Sequence, residues 1–173
     1  TGDIANVGLI DQAPGNALAI GGVTAIGNFL QNEATGSTLP VGFTLLYQAN
    51  LGVLYDPDTN GLFLNGTGGN FFTFVAGFGE KVTSADALPG TATFTFDPTN
   101  STNFFKMYAT SAVGNNLTGA GFTSTTEILA GHISKTISSN FELSDPDPVN
   151  LDQSSNGDQW GGQKTVSGSG SSS

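Results

Sequence analysis

The sequence predicts an all-β protein, an antiparallel β-sandwich of jelly-roll-like or Ig-like type with little helix. Three observations lead there: long stretches alternate apolar and polar residues with period two, 25 glycines and 7 prolines punctuate them, and 13 phenylalanines supply core. Alternation at period two places successive side chains on opposite faces, so each stretch reads as a strand with one face buried. With turn signals every 8–12 residues, roughly 8–12 strands are expected in one domain over residues 1–166. A Gly/Ser-rich tail, 167–173, is expected to be flexible because such residues bury too little to offset chain entropy.

The centre of the pattern is a pair of aromatic-faced runs. Phe72, Phe74, Ala76 and Phe78 share one face, and Ala92, Phe94 and Phe96 share another opposite Thr91, Thr93 and Thr95. A polar loop, 83–90, is expected between them. Residues 42–55 form the longest alternation, with Phe43, Leu45, Tyr47, Ala49, Leu51, Val53 and Tyr55 on one face and Gly52 as a bulge site. The turn Asp56-Pro57-Asp58-Thr59-Asn60-Gly61 then leads to Leu62-Phe63-Leu64, a hairpin return. Ile26, Phe29 and Leu30 have helical spacing and support a turn or two of helix. Residues 104–108, 127–134 and 137–143 read as strands. Asp145-Pro146-Asp147-Pro148 is expected to break regular structure, since each proline removes a backbone donor.

Composition narrows function. Fourteen acids face four lysines and no arginine, a net charge of −10, which argues against a nucleic-acid partner or an anionic membrane surface. No apolar run reaches the eighteen or so residues of a membrane span. A polar surface built from Ser, Thr, Asn and Gly suits an exported protein, and the start at Thr1 reads as that of a processed chain.

Candidate chemistry is sparse, and no enzyme is expected. Asp56, Asp58 and Asn60 follow the first half of a calcium-loop pattern, but its twelfth position is Thr67, so Ca²⁺ competes with an ordinary Asx-rich turn and no cofactor is otherwise expected. His132 stands alone, in an expected strand. Glu80, Glu127 and Glu142 are the acids that a glycoside-cleaving pair would draw on. Trp160, flanked by Asp158 and Gln159, suits either stacking on a sugar ring or capping the core. Asn65, Asn100 and Asn116 head N-glycosylation sequons.

Several separated blocks carry a resemblance. They include Ala13-Pro14-Gly15-Asn16-Ala17-Leu18-Ala19, Leu45-Leu46-Tyr47-Gln48-Ala49, Phe72-Thr73-Phe74-Val75-Ala76-Gly77-Phe78-Gly79-Glu80 and Asn103-Phe104-Phe105-Lys106-Met107-Tyr108, and they end with Ile128-Leu129-Ala130-Gly131 and Thr165-Val166-Ser167-Gly168. In this order the chain resembles the ectodomain of exported bacterial surface proteins of the PEP-CTERM class, flocculation-associated subgroup. Such proteins end in a Pro-Glu-Pro motif, a membrane segment and a basic tail, which are absent from these 173 residues. The resemblance implies an extracellular structural protein of the cell surface or biofilm matrix, its partners being copies of itself and extracellular polysaccharide. It brings no catalytic residues. The expected mode of association is strand addition, a chain terminus pairing with a neighbouring subunit head-to-tail into fibres or sheets. The alternative is a glycan-binding, adhesin-like module, with or without Ca²⁺.

Overall fold

A computed structural model describes residues 9–13, 15–58, 60–88, 90–116, 119–123, 125–135, 139–150 and 164–172, without side chains for 144–150, 164–169, 171 and 172. Ten strands and one α-helix follow one another as β1 (Leu9–Gln12), β2 (Asn16–Ile20), α1 (Gly22–Thr35), β3 (Gly42–Asp56), β4 (Gly61–Leu64), β5 (Phe71–Asp86), β6 (Thr91–Phe96), β7 (Asn103–Thr110), β8 (Thr126–Gly131), β9 (Ser139–Asn150) and β10 (Lys164–Ser172). The class is the antiparallel all-β one expected. The strands join in a single ten-stranded sheet rather than in two separately hydrogen-bonded ones.

The pairing has a simple underlying order. β1 and β2 lie end to end along one side of β3, opposite residues 51–55 and 44–48. β4 and β5 lie end to end along its other side. β6 and β7 together run the length of β5, and β8 and β9 continue the pattern along β7 and β6. β10 closes the series on β9. The fold is therefore a meander of six long antiparallel rows, each adjacent to the previous one in sequence, the simplest connectivity an antiparallel sheet allows.

Directly opposed residues share a face, so the registers sort the side chains. One face carries Phe43 and Leu45 of β3, Val82 and Ala85 of β5 and Phe94 of β6, packed against Ala25, Ile26 and Phe29 of α1. Phe43 and Phe94 meet edge-to-face at 4.9 Å. Further along the same face, Leu51, Leu54, Phe74 and Met107 form a second core cluster with Ile10, Phe63, Phe72 and Phe105. Gly52 is the extra residue of a bulge, since Asp11 opposes Val53 and Gln12 opposes Leu51. The bulge is the one expected, but it reverses the face assignment beyond it. Leu54, not Val53 or Tyr55, is the buried residue, because one inserted residue shifts a period-two pattern by half a cycle.

Four other elements differ from expectation. The helix is 14 residues long, ending at Gly36 in the left-handed region (φ 67°), whose N–H bonds the Asn32 carbonyl at 2.7 Å. Asn28 and Asn32 side chains then bind backbone atoms of Pro40 and Leu39, directing the chain into β3. β5 continues through Thr83 and Ser84, expected as loop, because both hydroxyls bond Thr93 on β6 (3.0 and 2.6 Å). The Asp-Pro-Asp-Pro run lies inside β9. There the register with β10 jumps from Val149↔Thr165 to Asp145↔Ser167, and pairing with β6 stops at Glu142. The prolines thus sit on a one-sided, bulged stretch, where a missing donor is tolerated. Residues 167–172, expected as a free tail, belong to β10 and pair with β9 of the same chain.

Candidate functional site

The sheet face opposite α1 carries a trough. Its floor is Leu46 on β3, Val75 and Gly77 on β5, and Phe104, Lys106 and Tyr108 on β7, residues that the registers place on one side. Gly77 is required here: a Cβ would lie 2.6 Å from the Phe104 ring and 3.0 Å from Leu46, so only glycine lets both side chains cross the strand.

Two loops bound the trough. The connection from β7 to β8 folds back over the sheet and is tied down by Asn50, whose amide gives and accepts bonds with the Gly114 backbone (2.9 and 2.7 Å). Thr73 Oγ1 donates to the Phe122 carbonyl at 2.8 Å, and Phe122 is only 1% exposed, packed over Gly114. At the other end, the loop 97–102 is built around Asp97. One of its oxygens accepts from the Thr99 N–H and hydroxyl (2.9 and 2.6 Å) and from Lys81 Nζ (3.0 Å). Burial pushes this carboxyl up, but those bonds outweigh it and hold Asp97 below the usual carboxylate range. Asn100 rests on Gly79 and bonds the Phe43 carbonyl and Thr44 hydroxyl.

Along the open side, Lys106 Nζ donates to Glu127 Oε2 at 2.8 Å, and the Tyr108 hydroxyl lies 3.4 Å from the same oxygen. The hydrogen bond to Glu127 raises the Lys106 pKa, and its counterpart from Lys106 lowers that of Glu127. Thr123 completes the lining of a groove of about 460 Å³. Sequence reasoning passed over this site. Alternation within Phe104-Phe105-Lys106-Met107-Tyr108 was its one legible signal, and the approach of Thr123 and Glu127 depends on register and loop path.

Apart from Glu127, the described residues singled out by sequence fall elsewhere. In the Asp56 turn, Asp56 Oδ1 accepts the Asp58 N–H at 2.9 Å, while Asn60, at φ 53°, accepts from the Tyr55 hydroxyl at 2.6 Å. The second hairpin uses the same device, Asp86 Oδ1 accepting the Leu88 N–H. Both are Asx turns, and the acid at each start closes the loop. Among the described residues, no three His, Asp or Glu side chains come together as a metal-binding group. Asn65 bonds the Phe72 backbone through both amide atoms (2.7 and 3.3 Å), and Asn100 Nδ2 is engaged as above. Glycosylation at either position would replace a structural bond. The backbone carbonyl of Asn116, the third sequon residue, accepts from Asn16 Nδ2. Trp160, Asp158 and Gln159 lie outside the described residues.

The three glutamates are not brought together. Glu80 is 1% exposed on the helix-side face, opposite Phe43 and Phe96. Burial raises its pKa, and a Ser139 hydrogen bond only partly offsets this. Glu127 is on the opposite face, exposed. Glu142 opposes Thr91, five residues along β6 from the partner of Glu80, which is about 17 Å at strand rise. His132 lies just beyond the end of β8 rather than within a strand, and is exposed.

No protein-family model, curated protein or solved structure matches the chain. Among the described residues, no helix is long and apolar enough to cross a membrane.

Proposed function

We propose that this chain is a non-enzymatic structural protein of the cell surface or extracellular matrix that self-associates by strand addition. The observation carrying this reading is the character of the outer strands. Among the described residues β2 pairs only with β3, and β8 only with β7, so each leaves one row of backbone N–H and C=O groups free for another strand. β2 reads Asn-Ala-Leu-Ala-Ile, a regular pairing without bulge, proline or charge, with Ala17, Ala19 and Ile20 exposed. β8 carries one charge, Glu127, and one register shift against β7, but it exposes all six residues, Ile128 and Leu129 included, and has no lysine or proline. Natural edges are usually blunted by such residues. The acid-rich, arginine-free composition and the surface-protein resemblance support the extracellular placement.

Of the two termini that sequence offers as the added strand, residues 1–8 lie outside the described residues, and the C-terminal one is β10, paired on one side with β9 of its own chain. We assign association to β2 and β8, the edges that expose apolar side chains. Counting antiparallel rows, those of β2 and β8 run in the same direction, so simple translation would join them parallel. A two-fold relation instead joins β2 to β2 and β8 to β8 antiparallel, the more stable ladder per residue. Alternating the two contacts extends the sheet indefinitely.

Sedimentation velocity over a concentration series tests this. The intact chain should polymerise, Ala19→Lys or Leu129→Lys alone should stop at dimers, and the double variant should be monomeric. A monomeric intact chain, or edge variants that assemble normally, would refute the proposal.

A further inference from the structure

We propose that the trough on the face opposite α1 is a binding site for a neutral polysaccharide, with Lys106, Glu127 and Tyr108 engaging sugar hydroxyls and Phe104 the apolar face of a ring. This goes beyond the self-association reading and rests on a different face of the sheet. A hexose presents two kinds of surface, axial C–H groups on a ring face and hydroxyls that both give and accept hydrogen bonds at its rim. Sites for such ligands combine an apolar wall with a few fixed polar groups.

The trough has both. Leu46, Val75 and the Phe104 ring over Gly77 make the apolar side. On its rim the Lys106 ammonium is a donor, Glu127 an acceptor, and the Tyr108 and Thr123 hydroxyls are either. The 2.8 Å ion pair sets a donor and an acceptor side by side on the rim, and with side chains 39% and 41% exposed both remain within reach of a ligand. Phe104 and Tyr108 are four residues apart on one strand, about 13 Å, which is a span for an oligosaccharide rather than a monosaccharide. The two loops held by Asn50 and Asp97 wall the ends, and the groove volume of about 460 Å³ falls within the range of small-ligand sites.

Charge selects among glycans. Lys106 is compensated by Glu127, and the chain carries a net −10, so the site offers no excess positive potential to an anionic polymer. A neutral chain meets no such repulsion and can insert its hydroxyls between the two partners.

The test is calorimetric titration of the intact chain with cellohexaose, maltohexaose, laminarihexaose and mannohexaose, with oligogalacturonate as the anionic comparison. At least one neutral hexasaccharide should bind with a Kd in the micromolar to low millimolar range. Lys106→Gln and Tyr108→Phe, surface changes that leave the core untouched, should each weaken it, Lys106→Gln by tenfold or more, with an unchanged melting curve. Oligogalacturonate should bind at least tenfold more weakly. Absence of binding across the neutral panel, equal affinity in both variants, or preference for the anionic chain would each overturn the proposal. The edge variants Ala19→Lys and Leu129→Lys should bind the same sugar as the parent chain, which separates this result from the outcome for self-association.

Discussion

Replacing Glu80 by glutamine should remove a specific component of the pH dependence of stability. The carboxyl is 1% exposed between Phe43 and Phe96, one of its oxygens has no hydrogen-bond partner among the described residues, and Ser139 serves the other. Burial therefore raises its folded pKa above the unfolded value. The native state then binds the proton more tightly than the unfolded chain, so stability from this group is complete below the unfolded carboxylate pKa and is lost as pH rises through the folded one. A buried acceptor left without a partner costs on the order of 1–3 kcal/mol, and in a domain of this size each kcal/mol moves Tm by about 2–4 °C. Glutamine keeps the shape and cannot ionise, but its Nε2 lacks an acceptor if it occupies the unpartnered position. The absolute Tm is therefore the wrong readout. Thermal unfolding followed by circular dichroism from pH 3.5 to 8 gives the right one, the difference between wild type and Glu80→Gln. Wild type should lose stability relative to the variant above about pH 4.5, by a total of about 2–12 °C at neutral pH. A difference that stays constant with pH would show that Glu80 is ionised in both states alike, and the reasoning would fail.

Asp97 should behave in the opposite sense. Its folded pKa is lowered, so its contribution is present above the unfolded carboxylate pKa and lost as pH falls through the folded one. Asp97→Asn should lower stability by about 1–3 kcal/mol at pH 7 and by much less near pH 3, in the same unfolding assay. Most of that comes from the Thr99 bonds, since Lys81 is 42% exposed and its ion pair is screened. Phe74→Ala, in the cluster with Leu51, Leu54 and Met107, should cost about 3–5 kcal/mol by urea unfolding without change in far-ultraviolet signal at zero denaturant. Because Asp56 and Asn60 each hold a bond that closes their turn, excess chelator should leave the melting curve unchanged; a fall in Tm reproduced by Asp58→Ala would place a cation there.

What could be read in advance was whatever a period of two encodes. β3, β6 and the first half of β5 announce themselves through Phe43, Phe74 and Phe94, and Gly52 marked its own bulge. The rest depended on partners distant in sequence. The helix has no side-chain cap and no acid in its first turn, and Thr24, Gly27 and Asn28 dilute its pattern, so packing of Ala25, Ile26 and Phe29 on the sheet decides it. Thr83 and Ser84 look like loop until Thr93 lies opposite them. Pro146 and Pro148 read as breakers because sequence does not reveal that their strand is paired on one side there. The trough was illegible for the same reason. Lys106 and Glu127 are 21 residues apart, and the register of β7 against β8 alone makes them neighbours.

The claim that β2 and β8 are the assembling edges is tested most directly by amide hydrogen exchange at increasing protein concentration. Outward-facing amides of residues 16–20 and 126–131 should exchange at least tenfold more slowly in the assembled state. The β10 amides that bond β9 should not change. Slowing confined to β10, or edge amides whose exchange is the same at every concentration while assemblies form, would contradict the account.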